Sequence, residues 1–90
     1  MIEVDARGLL CPLPVLRLRK MLLTLPPGAQ LRLLATDPAA QIDVPHFCAE
    51  SGHHLLSQRD LPDGAREYVV ARGDGAQGNG RAGADGWPGS

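Results

Sequence analysis

Two prolines one residue apart, Pro12 and Pro14, constrain this chain more than any other feature of its sequence. Proline lacks a backbone N–H and its ring crowds the carbonyl four residues earlier. A helix therefore tolerates both only in its first turn, where the N–H groups have no intrahelical partner. The residues that follow fit a helix starting at this point: Val15, Leu18, Leu22 and Leu25 recur at helical spacing, with Leu16, Met21 and Leu23 beside them. Arg17, Lys20 and Thr24 share the opposite face, so the segment Pro12–Leu25 is predicted to be an amphipathic helix, ended by Pro26-Pro27-Gly28.

Around that helix the period changes. Ile2, Val4 and Ala6 alternate with Glu3, Asp5 and Arg7, which predicts a strand with one wet face, closed by Gly8. Leu31–Ala35 reads as a largely buried strand, which makes the first helix a crossover between parallel strands. Asp37-Pro38 offers an N-cap for a second helix, but Pro45 inside a continuous helix would cost about 3 kcal/mol. A kink or restart is therefore expected, with Asp43 as a second N-cap and Gly52 as the terminator. Leu55–Arg59 and Arg66–Arg72 complete the pattern as two strands joined through the turn Leu61-Pro62-Asp63-Gly64. The predicted fold is an α+β two-layer sandwich of order βαβαββ, a four-stranded mixed sheet carrying two helices on one face.

Composition sets the limits of this unit. Of 11 glycines, seven fall within residues 73–90, a segment whose only large apolar residue is Trp87. That stretch is expected to be a disordered tail, leaving residues 1–72 as the one folded domain. A unit of this size buries only about 60% of its chain surface, so each buried leucine should matter. Nine Lys and Arg against ten Asp and Glu give a formal net charge of -1, poor material for gripping phosphates, so direct stable nucleic-acid binding is not expected.

The two cysteines, 37 positions apart, cannot form a crosslinked framework, which favours a reducing cytoplasm. The start Met1-Ile2-Glu3-Val4-Asp5 lacks the basic opening and apolar run of a secretory signal. Gly8-Leu9-Leu10-Cys11 resembles a lipoprotein cleavage site only superficially, because a bulky leucine precedes the cysteine. Apolar stretches interrupted by Arg7, Pro12, Arg17 and Arg19 fall far short of the roughly 20 residues that span a bilayer, so no membrane segment is expected.

Chemistry is expected at Cys11. If the helix begins at Pro12, Cys11 is its N-cap, where the positive end of the helix dipole and the N–H groups of Leu13 and Val15 would favour thiolate over thiol. The other interpretation is a small apolar residue packed beneath the helix. No histidine or carboxylate adjoins Cys11 in sequence, and the imidazoles of His46, His53 and His54 are all distant along the chain. A cysteine hydrolase needs a cleft and an oxyanion site that a domain of about seventy residues can scarcely enclose. Sulfur exchange needs only access, a suitable pKa and a leaving thiol.

Other features carry less. Cys48 falls in the apolar pattern of the second helix and reads as a buried, inert thiol. A redox sensor built on a Cys11–Cys48 disulfide would need their Cα atoms within about 7 Å. His46, Cys48, His53 and His54 match no strong zinc spacing, the histidines suit helix-cap or surface positions, and no metal or cofactor is expected. Gly73-Asp74-Gly75-Ala76-Gln77-Gly78 satisfies GxGxxG after a predicted strand, yet no helix follows to present N–H groups to a pyrophosphate.

The run Asp5-Ala6-Arg7-Gly8-Leu9-Leu10-Cys11-Pro12-Leu13-Pro14 resembles the TusA/SirA-like sulfur carriers, whose mark is a cysteine in CPxP after a short strand and glycine turn. Arg19-Lys20, Asp37-Pro38, Asp43-Val44-Pro45, Phe47-Cys48 and Gly52-His53 are similar to later landmarks of that family, so the likeness covers about residues 2–72. It implies strand order 1-2-4-3. It also implies a sulfurtransferase of the carrier type, in which Cys11 bears a persulfide taken from a cysteine desulfurase or rhodanese-type donor. The sulfur would pass to an acceptor protein with a reactive cysteine, DsrE-like or similar. Wobble-uridine thiolation in tRNA, dissimilatory sulfur oxidation and cofactor assembly are all served within the family, and the motif does not separate them. Leu13 fills the variable place of CPxP, where some members carry an acid, so a charge-dependent docking contact there is not expected.

Docking residues are expected around the motif. Arg19, a charge within the apolar arc of the first helix, suits either partner docking beside Lys20 or a snorkelling stem that covers core leucines. Arg7 could add positive potential near the sulfur or simply be solvated. Leu9, Leu10 and Leu13 could rim the site, although Leu9 and Leu10 suit the core equally well. The rival to a carrier is a noncatalytic interaction module in which Cys11 is structural.

Overall fold

The alternation at the N-terminus becomes strand β1 (Ile2–Ala6), with Val4 and Ala6 buried and Glu3 and Asp5 exposed, in a computed structural model that describes residues 1–73. After helix α1 (Leu13–Leu22), strand β2 (Gln30–Ala35) returns parallel to β1, setting Val4 opposite Leu33 and Ala6 opposite Ala35. Helix α2 (Ala40–Ser51) then leads to strands β3 (His54–Asp60) and β4 (Arg66–Ala71). The last strand inserts antiparallel between β2 and β3, giving the order β1-β2-β4-β3 that the family resemblance implied. At the β3–β4 turn the N–H of Leu61 donates to the Ala65 carbonyl and Gly64 adopts φ 91°, a left-handed conformation suited to glycine.

Both helices bury their apolar stripes on one face of the sheet. Val15, Leu18 and Leu22 of α1 and Val44, Phe47 and Cys48 of α2 close over Leu31, Leu33, Tyr68 and Val70. Each large side chain so buried contributes about 1.5–3 kcal/mol, and this two-layer core is what fixes the ends of the helices in space. The opposite face of the sheet carries charge. Arg32 of β2 lies 3.0 Å from Glu3 of β1 and 2.7 Å from Glu67 of β4, and Arg59 of β3 reaches Glu67 at 2.8 Å, so a ladder of ion pairs crosses all four strands.

Five local expectations are corrected. Helix α1 begins at Leu13, with Pro12 as the residue before it at φ -99° and ψ 16°, so Cys11 lies one position further out than an N-cap. The helix also stops at Leu22, short of Leu25. Residues 23–25 turn more tightly, the Leu25 N–H reaching the Leu22 carbonyl at 3.1 Å, because Pro26 disfavours helical dihedrals at the residue before it.

Helix α2 does not restart at Asp43, which is its fourth residue, its N–H donating to the Ala39 carbonyl at 2.9 Å. The carbonyl that Pro45 deprives of a partner belongs to exposed Gln41, where water can serve it, so the helix runs on. The N-cap of α2 is Ala39 and not Asp37, which lies two residues earlier and accepts the Ala39 N–H at 3.0 Å, while Gly52 ends the helix at φ 79° as expected.

His53, expected at a cap or on the surface, is instead buried against Phe47, their ring centroids 5.5 Å apart. Its Nδ1 accepts the N–H of Gly73, whose Cα packs so closely on Gly52 that a Cβ there would stand 1.7 Å from the Gly52 carbonyl oxygen. Trp87, the remainder of the GxGxxG stretch and the rest of the glycine-rich segment lie outside the described residues. Among the described residues no helix is long and apolar enough to cross a membrane.

Candidate functional site

The chain leaves β1 through Gly8, in a left-handed conformation at φ 81° with its N–H held by Thr36 Oγ1 at 2.9 Å, and reaches α1 by way of Leu9, Leu10 and Cys11. Leu9 turns back onto the core, whereas Leu10 and Leu13 are 70% and 48% exposed and flank the cysteine in sequence. The Cys11–Pro12 peptide bond is cis, and the Leu13 N–H donates to the Leu10 carbonyl at 2.8 Å. That N–H is therefore not free to stabilise a thiolate, contrary to the expectation from an N-capping cysteine. Pro14 is buried at the root of the helix, anchoring the motif to the core.

Two aspartates from the other half of the molecule hold Cys11. Asp37, in the β2–α2 connection, accepts the Cys11 backbone N–H at 2.6 Å with Oδ2 while its Oδ1 accepts the N–H of Ala39 ahead of α2. Asp43, one turn into α2, accepts the thiol itself, with Sγ 2.7 Å from Oδ2. The thiol is exposed, and its pKa is raised: the hydrogen bond to Asp43 is the largest cause, followed by partial desolvation and the negative charges of Asp43 and Asp37. The resting group is thus a thiol pinned to a carboxylate, not the dipole-stabilised thiolate expected from sequence. Neither aspartate was read as part of the site, because each had a sufficient local explanation as a helix cap. The available signal was that Asp43 and Pro45 are too close to the Asp37 cap for two separate helices.

The remaining predicted residues scatter. Arg7 is engaged by Asp5, at 2.9 Å, and by Asp63 of the β3–β4 turn, at 3.1 Å. The hydrogen bonds from Arg7 hold the Asp5 carboxyl down at about 2. Lys20 lines an open groove between α1 and β1 with Leu13, Leu16, Arg17 and Met21, which leads along the helix from the CPxP motif. Arg19 does not join that groove. It is half-buried, and among the described residues its side chain has no ion-pair partner. Cys48 is 3% exposed and burial pushes its thiol up to about 11, which leaves Cys11 as the accessible thiol. Among the described residues no three His, Cys, Asp or Glu side chains converge as a metal site.

Such a sandwich, with an exposed cysteine leading into its first helix, is of the SirA-like class. A solved SirA-like protein from Desulfitobacterium hafniense superposes with a TM-score of 0.73 at 25% identity, over 82% of this chain and 100% of that one. Residues 2–72 match the family described as Sulfurtransferase TusA, and the chain belongs to that family of sulfur carriers. Similar relatives include the sulfur carrier protein TusA of Pseudomonas syringae pv. syringae, 44% identical over 57 residues that make up 63% of this chain and 68% of that protein. The sulfur carrier protein TusA of Pseudomonas entomophila is 46% identical over 57 residues, 63% of this chain and 71% of its own.

Proposed function

We propose that Cys11 is the sulfur-bearing atom of a cytoplasmic persulfide carrier. The observation that carries this reading is its placement: an exposed thiol at the strand–helix corner, flanked by exposed Leu10 and Leu13, while the second thiol is sealed in the core. Pro12, Leu13 and Pro14 shape that corner, and Arg19, Lys20, Arg7 and Leu9 are the docking candidates around it. Sulfur arrives when Cys11 Sγ attacks the terminal sulfur of a donor persulfide, on a cysteine desulfurase or rhodanese-type protein, and the donor's own sulfur leaves as a thiol. It departs when a cysteine of an acceptor protein, DsrE-like or similar, attacks the sulfur now held on Cys11. Neither step changes the number of S–S bonds, so no external oxidant or reductant is consumed. The end uses compatible with this chemistry are tRNA 2-thiouridine synthesis, dissimilatory sulfur oxidation and cofactor assembly.

Intact mass followed by peptide mapping tests the assignment, after anaerobic incubation with a cysteine desulfurase and cysteine, or with a loaded rhodanese. Wild type and Cys48→Ser should gain one reductant-labile sulfur atom on the Cys11 peptide, and Cys11→Ser should gain none. Absence of the adduct with every donor would favour the noncatalytic interaction module.

A further inference from the structure

The contact between Cys11 and Asp43 has a use beyond anchoring. Cys11 Sγ lies 2.7 Å from a carboxylate contributed by a different helix, 32 residues away, while a second carboxylate, Asp37, already fixes the Cys11 backbone. Anchoring would be complete with Asp37 alone. Asp43 also lacks the capping job that would otherwise explain it, since its own N–H is an ordinary helical donor to Ala39. We propose that Asp43 is the proton-handling residue of the carrier, taking the proton from Cys11 Sγ as sulfur enters and delivering one to Sγ as sulfur leaves.

The proposal rests on Cys11 as the sulfur-bearing atom. On loading, Sγ forms a bond to the terminal sulfur of the donor persulfide, the bond between that sulfur and the donor's cysteine breaks, and its electron pair leaves with the donor. The Cys11 proton passes to Asp43 and on to the departing donor thiolate, so a thiol and a persulfide become a persulfide and a thiol. Unloading runs the same way: the acceptor thiol gives its proton to Asp43 as its sulfur bonds to the terminal sulfur, the S–S bond to Cys11 breaks with its electron pair going to Sγ, and Asp43 passes the proton on to Sγ.

One carboxylate serves both directions because a carrier ends each cycle as the thiol with which it began. The charged groups acting on the thiol are Asp43 from α2 and Asp37 from the β2–α2 connection, and the nearest cation in sequence, Arg7, is engaged by Asp5 and Asp63. Without a proton acceptor, a thiol among these anions would be a poor nucleophile at neutral pH.

Two pH profiles test this, both in a Cys48→Ser background of the full chain so that only Cys11 is read. The first is the rate of alkylation by iodoacetamide, which needs no sulfur donor and reports thiol ionisation. Asp43→Asn should move its midpoint to lower pH, raising the rate at pH 7 about tenfold for each pH unit moved. The second is sulfur loading from glutathione persulfide, followed by intact mass. In wild type the rate should be nearly flat over about pH 6 to 8, because the thiol–carboxylate pair reacts as a unit. In Asp43→Asn it should climb with the thiolate fraction and fall below wild type at the acidic end.

A variant that alkylates and loads with the wild-type profiles would overturn the proposal, as would one that loads faster at every pH, since Asp43 would then only suppress the thiol. Wild type that alkylates at Cys11 but never accepts sulfur would instead bring down the carrier reading and the proposal with it. If Asp43→Asn does not fold by circular dichroism, Asp43→Ser takes its place in both profiles.

Discussion

His53 Nδ1 accepts the backbone N–H of Gly73 at 3.1 Å, tying the second residue beyond α2 to the second residue beyond β4. An imidazole nitrogen can accept only when it carries no proton, and burial, followed by the charges of Arg72 and His54, holds the His53 pKa down at about 4. The unfolded chain binds a proton near the ordinary histidine value of about 6.5 and the folded chain does not, so stability falls as the pH drops from about 6.5 towards about 4. The melting temperature of wild type should therefore decline between pH 7 and pH 5 more steeply than that of His53→Gln, whose side-chain carbonyl can still accept. Parallel declines would refute the assignment.

Glu67 gives a pH dependence of the same sign in a more acidic range, because here folding favours the charged form. Hydrogen bonding to Arg59, and the charges of Arg59 and Arg32, hold its carboxyl below the usual range despite some desolvation. Its contribution to stability is present above the unfolded carboxylate pKa and is lost as pH falls through the lower, folded value. Glu67→Gln should melt below wild type at pH 7, and the gap should close in strong acid, where wild type is protonated as well. A gap that stays constant with pH would show that the effect is packing and not charge.

The period-2 and period-3.6 patterns made the six elements legible because each is a local property of the chain, and Leu61-Pro62-Asp63-Gly64 marked the hairpin for the same reason. Helix boundaries were less legible: Pro26 shortens α1 through its effect on the preceding residue, and exposed Gln41 lets α2 run past Pro45. The site was half visible. Cys11 stood out through its prolines, but Asp43 reaches it across 32 residues by a fold that brings α2 alongside the β1–α1 corner, and no local pattern encodes that approach. Gly73 illustrates the same gap, since composition grouped it with the glycine-rich segment while its N–H belongs to His53.

The core carries the third prediction. Phe47 is 1% exposed at the centre of α2's buried face, and truncating a buried phenylalanine to alanine costs about 3–5 kcal/mol. Small domains have total stabilities near the lower end of about 5–15 kcal/mol, so Phe47→Ala should be largely unfolded at 37 °C by circular dichroism. A cooperative urea transition close to that of wild type would contradict this placement of the core.

The two thiols should also separate cleanly. Under native conditions at pH 8 a maleimide or iodoacetamide should label Cys11 and spare Cys48, whose thiol is buried and pushed up to about 11. In guanidinium both should react. Native labelling of Cys48 at the rate of Cys11 would mean that α2 opens readily.

The sulfur and its carboxylate ride on separate elements, one at the corner ahead of α1 and the other on α2, where the neighbouring Val44 is fully buried. A contact of 2.7 Å has no slack, so a slide of one helix over the other by a fraction of a turn breaks it. The acidity of Cys11 is therefore a gauge of how the two helices are seated. A void left beneath α2 by Val44→Ala would change how fast a dye labels a residue that the substitution never touches, and labelling kinetics would read the interior from the surface.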